Sequence, residues 1–301
     1  MLTFPVNTIF VEGPDCSGKT TLIKSMHELT NYSLHLMDRS HLSRMIFASF
    51  YGRKISNCNY DFHSEVSNLN NRYYILLPNI DIVRSRFEKR GDELHDIKSL
   101  ESVYKAFQKT AESLRGYPNI TVVNSNKSSK AIAKSVIASI FLTERPQLRE
   151  ISDQVSMLVK MKDNECYPLQ FTLCDDGKFE EASADAMLYK PEKEYYENIY
   201  NLLHEKISRE LEGKNEYNRA ESPDSRRFVY TDDSCISFIQ VAVRDNVLDF
   251  HVVIRSTNVK DTFPHDLKFL YYLASTCYKR FDGHCKTARL RFNLNSAHII
   301  I

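Results

Sequence analysis

An α/β domain built on a parallel sheet, followed by an α+β domain, is the fold class this sequence predicts. Three observations predict it. A β-rich run, Thr8-Ile9-Phe10-Val11-Glu12, enters the loop Gly13-Pro14-Asp15-Cys16-Ser17-Gly18-Lys19-Thr20, and an amphipathic run (Leu22, Ile23, Met26, Leu29) leaves it. Short apolar strands then alternate with helical runs to about residue 142, the pattern of a parallel sheet covered on both faces. Past Glu144-Arg145-Pro146 the alternation stops and a hairpin pattern takes over. The expected domains are therefore 1–143 and 144–301.

The elements follow in order. Leu34-His35-Leu36-Met37 reads as a strand ending at Asp38-Arg39, with helical runs across 40–50 and 61–71. Tyr73 to Leu77 reads as a buried strand stopped by Pro78, since proline cannot continue a ladder. Helices across 79–90 and 98–115, a strand Ile120 to Val123 and a helix from Ser128 to Leu142 complete the first half. In the second half, a helix across 192–212 leads to a polar, turn-rich segment, Gly213 to Ser225. Two alternating strands, Cys235 to Val243 and Val247 to Arg255, are joined by Arg244-Asp245-Asn246. A helix across 265–281 and a strand from Ala288 to Leu294 finish the chain.

Composition narrows the classes. The chain has 301 residues, enough for two separate cores. With 40 basic against 39 acidic side chains the net charge is +1, so nothing drives the whole molecule toward nucleic acid, which is not an expected partner. No apolar run approaches the ~20 residues of a membrane span, and no export signal is expected at the N-terminus. Seven scattered cysteines without a C-x-x-C pair point to reduced thiols in a cytoplasm, the host's if the source is viral.

The G-x-x-x-x-G-K-[ST] spacing has a direct chemical reason. Its glycines let successive backbone N–H groups face a phosphate, and the next helix aims its positive end at the same anion. Gly13, Asp15, Ser17, Gly18, Lys19, Thr20 and Thr21 are the expected contacts to ATP, with Lys19 at the β/γ-phosphates and the Thr20 hydroxyl on Mg²⁺. Glu12 and Asp15 place carboxylates beside the phosphate site, where they can bind a sugar hydroxyl or the metal shell. Arg39 is expected to clamp an acceptor phosphate while Asp38 orients it. Arg84, Arg86 and Arg90 run along one helix into Gly91-Asp92-Glu93, and Arg86 and Arg90, four apart, share a face from which they can neutralise developing charge. A surface ion pair at Asp38-Arg39 and a solvated helix face at Arg86/Arg90 remain the alternatives.

These residues make positions 5–142 resemble the thymidylate kinase-like branch of P-loop nucleoside monophosphate kinases, especially compact viral-type members. The resemblance implies an α/β P-loop kinase. One departure is the short segment between the loop helix and Asp38, where an insertion usually shapes the base pocket.

The second half carries Pro223-Asp224-Ser225-Arg226-Arg227, then Cys235, Gln240, Arg255-Ser256, Pro264-His265-Asp266 and Asn295-Ser296-Ala297-His298-Ile299. In this order the set, across about 195–301, resembles the nucleotide-binding core of thymidylate synthases and deoxycytidylate hydroxymethylases. The resemblance implies that Cys235 is the nucleophile and that Arg255 and Ser256 bind phosphate. It also implies that Arg226 and Arg227 reach a partner subunit's phosphate in a homodimer. Gln240 and His298 become substrate contacts, and Asp266 replaces the asparagine of uracil-acting enzymes, which favours a cytosine-type base. The alternatives are a buried strand thiol at Cys235 and a helix N-cap at Asp266. The chain departs from that family: it has no tryptophan for a folate site, Ile236 stands where histidine follows the nucleophile, and His298-Ile299-Ile300 replaces His-x-Tyr.

The function expected from both resemblances is Mg-dependent phosphoryl transfer from ATP to a pyrimidine deoxynucleoside monophosphate, one modified at C5 included. The second domain would be a degenerate synthase-like module that binds nucleotide, dimerises or both, as in the deoxynucleotide supply of a DNA virus. Three alternatives stay open: a bifunctional dCMP hydroxymethylase and kinase, a kinase acting on a modified base in DNA, and a non-catalytic nucleotide-sensing dimer.

Overall fold

The computed structural model describes residues 1–53, 58–90, 96–124, 126–143, 145–211, 228–281 and 283–300. The chain divides into two compact units, Val6–Thr143 and Met1–Pro5 with Glu144–Ile301. The first five residues, expected with the N-terminal domain, thus belong to the other unit. The reason is a backbone ladder: β1 (Leu2–Thr3) pairs antiparallel with a strand of that unit, Leu2 opposite Asp175.

The Val6–Thr143 unit runs β2 (Thr8–Glu12), α1 (Lys19–Thr30), β3 (Leu36–Asp38), α2 (His41–Phe50), α3 (Cys58–Val66), β4 (Asn71–Leu76), α4 (Ile80–Arg90), α5 (Ile97–Ser113), β5 (Ile120–Val123) and α6 (Ser129–Thr143). Its sheet has the order β3-β2-β4-β5, with every pair parallel. Every residue of β4 is buried, as expected for a strand covered above and below. Strand periodicity sorts the two faces. Ile9 and Val11 pack with Leu22, Met26, Ala133 and Val136 under α1 and α6. Phe10 points the other way and stacks on Tyr73 at 4.9 Å, with Phe62 of α3 edge-on to Tyr73. Glu12 follows the same alternation and falls on the Phe10 face, toward α2. The helical run expected across 61–71 ends at Val66, and Asn71 already opens β4.

The second unit continues with α7 (Leu148–Met161), β6 (Glu165–Cys166), β7 (Leu169–Asp175), α8 (Lys193–Leu211), β8 (Val229–Thr231), β9 (Ile236–Arg244), β10 (Val247–Ile254), β11 (Thr257–Asn258), α9 (Phe263–Arg280), β12 (Thr287–Leu294) and β13 (Ala297–His298). A six-stranded sheet has the order β1-β7-β12-β10-β9-β8, and a small one the order β11-β13-β6. In the large sheet β10 and β12 are parallel and the other pairs antiparallel. Strand β12 alternates buried Ala288, Leu290, Phe292 and Leu294 with half-buried or exposed polar residues, the signature of a sheet with one face in the core. The expected β9–β10 hairpin forms around Asp245 and Asn246, both at positive φ, as a tight hairpin turn requires. Among the described residues no helix is long and apolar enough to cross a membrane.

Candidate active site

Strand β2 ends at Glu12, and the chain must turn at once into α1. Gly13 has φ +140° and Gly18, the N-cap of α1, has φ +101°, both in the region that glycine adopts at little cost. A Cβ on Gly13 would meet the Leu76 carbonyl oxygen at 2.5 Å, so this position admits no side chain. The turn leaves the first amides of α1, at Lys19, Thr20 and Thr21, without helical partners and open to an anion. Thr20 and Thr21 are exposed, whereas Ser17 is buried with no hydrogen-bond partner for its hydroxyl. A buried, unpartnered hydroxyl in such a loop is a donor suited to a phosphate oxygen.

Lys19 is buried, and its Nζ donates to the carbonyls of Gly13 at 2.9 Å and Pro14 at 2.8 Å. Burial lowers its pKa, and Arg39 adds to the shift against the opposing pull of Asp15, Asp38 and Glu12. Arg86 reaches the same loop from α4, donating to the carbonyls of Cys16 at 3.2 Å and Ser17 at 3.0 Å. Arg90, one turn on, is exposed and makes no bond to the loop among the described residues. Arg84 belongs elsewhere: it pairs with Glu101 and Asp81 at 2.8 and 2.9 Å and ties α4 to α5.

Arg39 sits at the carboxyl edge of β3, where ligands gather in open parallel sheets. Its guanidinium bonds Asp15 at 2.5 Å and lies 4.8 Å from the centre of the Phe47 ring. Asp15, not Asp38, therefore orients Arg39, and Asp38 stays exposed at the strand end. Glu12 is not open to substrate. It is fully buried, and its two carboxylate oxygens accept from the Ser40 amide and the Ser43 hydroxyl.

Beside Asp15 and Arg39 opens a cleft of about 390 Å³, also lined by Ser43, Arg44, Phe47, Tyr51 and Arg53. Arg53 lies 4.8 Å over the Tyr51 ring, and Arg44 is backed by Asp61 at 3.6 Å. The sequence reading missed this wall. A signal was available: Ser40, Arg44, Phe47 and Tyr51 recur at helical spacing directly after Asp38-Arg39.

In the second unit Cys235 is exposed immediately before β9, and its carbonyl accepts the Arg255 amide at 2.8 Å. Partial desolvation of the sulfur raises its pKa, with the charges of Asp266 and Glu192 adding and Arg255 opposing. A nucleophilic thiol needs the opposite shift. Arg255 is exposed and Ser256 half-buried between β10 and β11. His298, half-buried in β13, pairs with Asn258 of β11. Gln240 lies midway along β9 opposite His251, five residues from Cys235 along the chain. Arg226 and Arg227 lie outside the described residues.

Asp266 is not a helix N-cap, since Thr262 takes that place. It is 1% exposed, and its carboxylate accepts from the Tyr196 hydroxyl at 2.7 Å and the Thr257 hydroxyl at 3.3 Å. Burial lifts its pKa from 3.8 to about 6, against the lowering effect of the Tyr196 bond. A carboxyl whose folded pKa exceeds its unfolded value binds its proton more tightly when folded. Its contribution to stability is therefore greatest below the unfolded value of 3.8 and is lost as pH rises to about 6. Asp266→Asn keeps an acceptor for Tyr196 and offers a donor to Thr257. It is expected to gain about 1–3 kcal/mol in urea unfolding above pH 6 and little below pH 4. Equal stability of the two proteins at pH 7.5 would contradict that assignment.

No family model matches the chain, and neither does any curated protein. Solved structures similar to it include the YorR protein of Bacillus subtilis in complex with phosphorylated GDP: 17% identity, 45% of this chain, 96% of that one, TM-score 0.38. Another is deoxyadenosine kinase from M. mycoides with dCMP and dCDP bound: 14% identity, 45% of this chain, all of that one, TM-score 0.35. A third is thymidylate synthase from T4 phage, at 20% identity and TM-score 0.24, covering 32% of this chain and 34% of that one. Structure neighbours thus include a deoxyadenosine kinase and, over part of the chain, a thymidylate synthase. Identities of 20% or less with TM-scores under 0.5 leave the function to be argued from the residues.

Proposed function

We propose that the chain transfers the γ-phosphoryl group of ATP to a pyrimidine deoxynucleoside monophosphate, 5-modified forms included. One observation carries the reading: the phosphate loop, with buried Lys19 and the unpartnered Ser17 hydroxyl, opens through Asp15 and Arg39 onto a cleft holding two further arginines. A loop of this kind holds the donor's phosphates. A cleft with three guanidiniums suits an acceptor that brings its own negative charge, and the Phe47 and Tyr51 rings suit its base. Arg86 would stabilise charge developing on the transferred group.

Magnesium fits the donor set. Thr20 offers an exposed hydroxyl at the helix start, with the carboxylates of Asp15 and Asp38 close to Lys19. Bound with a triphosphate, Mg²⁺ needs only one or two protein oxygens and would neutralise phosphate charge. The second unit is proposed as a nucleotide-binding, dimerising module without one-carbon transfer, which the raised thiol pKa of Cys235 supports. The homodimer rests on Arg226 and Arg227 and would be read by light scattering with and without nucleotide.

ADP release should be measured with dTMP, dUMP, dCMP, their 5-hydroxymethyl forms and the free nucleosides. Turnover on at least one monophosphate is expected; ATP binding without transfer to any acceptor would instead support the sensing dimer. No tritium should leave C5 of labelled dCMP with methylenetetrahydrofolate, and release would restore the bifunctional reading. Arg39→Ala should raise the acceptor KM about tenfold or more, the loss of a charge-assisted pair, while the ATP KM stays put.

A further inference from the structure

We propose that Glu12 is a positioning residue, one that fixes the Arg39 turn and the first turn of α2 against the mouth of the phosphate loop. The inference rests on the phosphotransfer reading for its consequence, not for its geometry.

The Glu12 side chain ties two elements together, β2 and the first turn of α2. Glu12 is the last residue of β2, so its backbone leads directly into Gly13. Its Oε1 accepts the Ser40 amide and its Oε2 accepts the Ser43 hydroxyl. Ser40 is the N-cap of α2, and its own hydroxyl accepts the Leu42 amide at 3.0 Å. A carboxylate here also meets the positive end of the helix dipole.

Arg39 stands between these anchors at φ +74°, a strained conformation for a residue with a side chain. Such strain persists only where the surroundings over-determine it. Here the Arg39 amide bonds the Val11 carbonyl at 3.1 Å on one side, and the Ser40 amide bonds Glu12 on the other. The turn so fixed delivers the Arg39 guanidinium to Asp15 and to the Phe47 ring. A role as proton acceptor or metal ligand requires an oxygen open to the site. Glu12 is 0% exposed with both oxygens bonded, which leaves none.

The amide of Glu12→Gln can still accept from the Ser40 N–H and donate to the Ser43 oxygen. That variant should keep turnover and acceptor KM within about threefold, whereas loss of a general base costs about 10²–10⁴-fold. Glu12→Ala should raise the acceptor KM about tenfold or more with the ATP KM unchanged, the pattern of lost acceptor binding. Ser43→Ala should shift it the same way by less, and serves if Glu12→Ala does not fold. A readout free of turnover is the Arg39 side-chain ¹⁵N signal, assigned through Arg39→Lys. It should match the native protein in Glu12→Gln and move toward the position of a free arginine in Glu12→Ala and Ser43→Ala. A native chain inert on every acceptor would remove the kinase reading yet leave this test standing. An unmoved Arg39 signal in both truncations, or a hundredfold loss in Glu12→Gln, would overturn the positioning role.

Discussion

Lys19→Ala is expected to abolish phosphoryl transfer while leaving the chain folded. The side chain has two tasks. Its ammonium bonds the carbonyls of Gly13 and Pro14, which holds the loop curled, and it brings the positive charge that a β/γ-phosphate would meet. Removing one preorganised charge from such a site costs on the order of 10²–10³ in rate, and the loosened loop adds to that loss. Lys19 is an anchor of the loop and not of the hydrophobic cluster under α1, so the circular dichroism spectrum should not change. Native turnover in the variant would sink the kinase reading.

The direction of its pKa gives a second signature. Burial holds Lys19 below the ordinary lysine value of 10.5, so the free protein loses this charge at a lower pH than an exposed lysine would. The pH profile of kcat/KM for ATP, which reports the free enzyme, should therefore fall on its alkaline side below the ordinary lysine range. In Lys19→Arg that limb should disappear, because guanidinium does not titrate there.

Gly13→Ala should do comparable damage by a different route. The new methyl group would lie 2.5 Å from the Leu76 carbonyl oxygen, a backbone atom of the neighbouring strand that cannot step aside. The residue would also keep φ +140° only under strain, costing about 1–3 kcal/mol before the overlap is counted. The loop should move to relieve both, carrying its amides and Lys19 off their positions. Expected are a lower melting temperature and weaker binding of ATP together. Unchanged values of both would show that the Gly13–Leu76 approach is not tight.

The parts of the fold that repeat were legible in the sequence. Strand Thr8–Glu12, the glycine loop and the helix from Lys19 follow from residue types and periodicity, because local sterics decide them. Helix α7 and strand β7 lie outside the elements the sequence pattern predicts, although β7 alternates buried Leu169, Phe171 and Leu173 with exposed or half-buried residues between Pro168 and Gly177. The strand β1 could not be read locally at all, since two residues become a strand only through a ladder to Cys174 and Asp175.

The site divides along the same line. Sequence alone determined that a loop with the spacing of a phosphate-binding loop stands between β2 and α1, because the pattern lies within eight consecutive residues. Tertiary structure alone decided which residues face it. It set Asp15 rather than Asp38 against Arg39, turned Glu12 away into Ser40 and Ser43, and built the arginine-lined wall from α2. It also closed Asp266 behind Tyr196 and Thr257, seventy and nine residues away along the chain. A glycine loop between a strand and a helix is specified by neighbours in sequence, whereas the partner of a charged side chain is whatever the packing brings within about 3 Å.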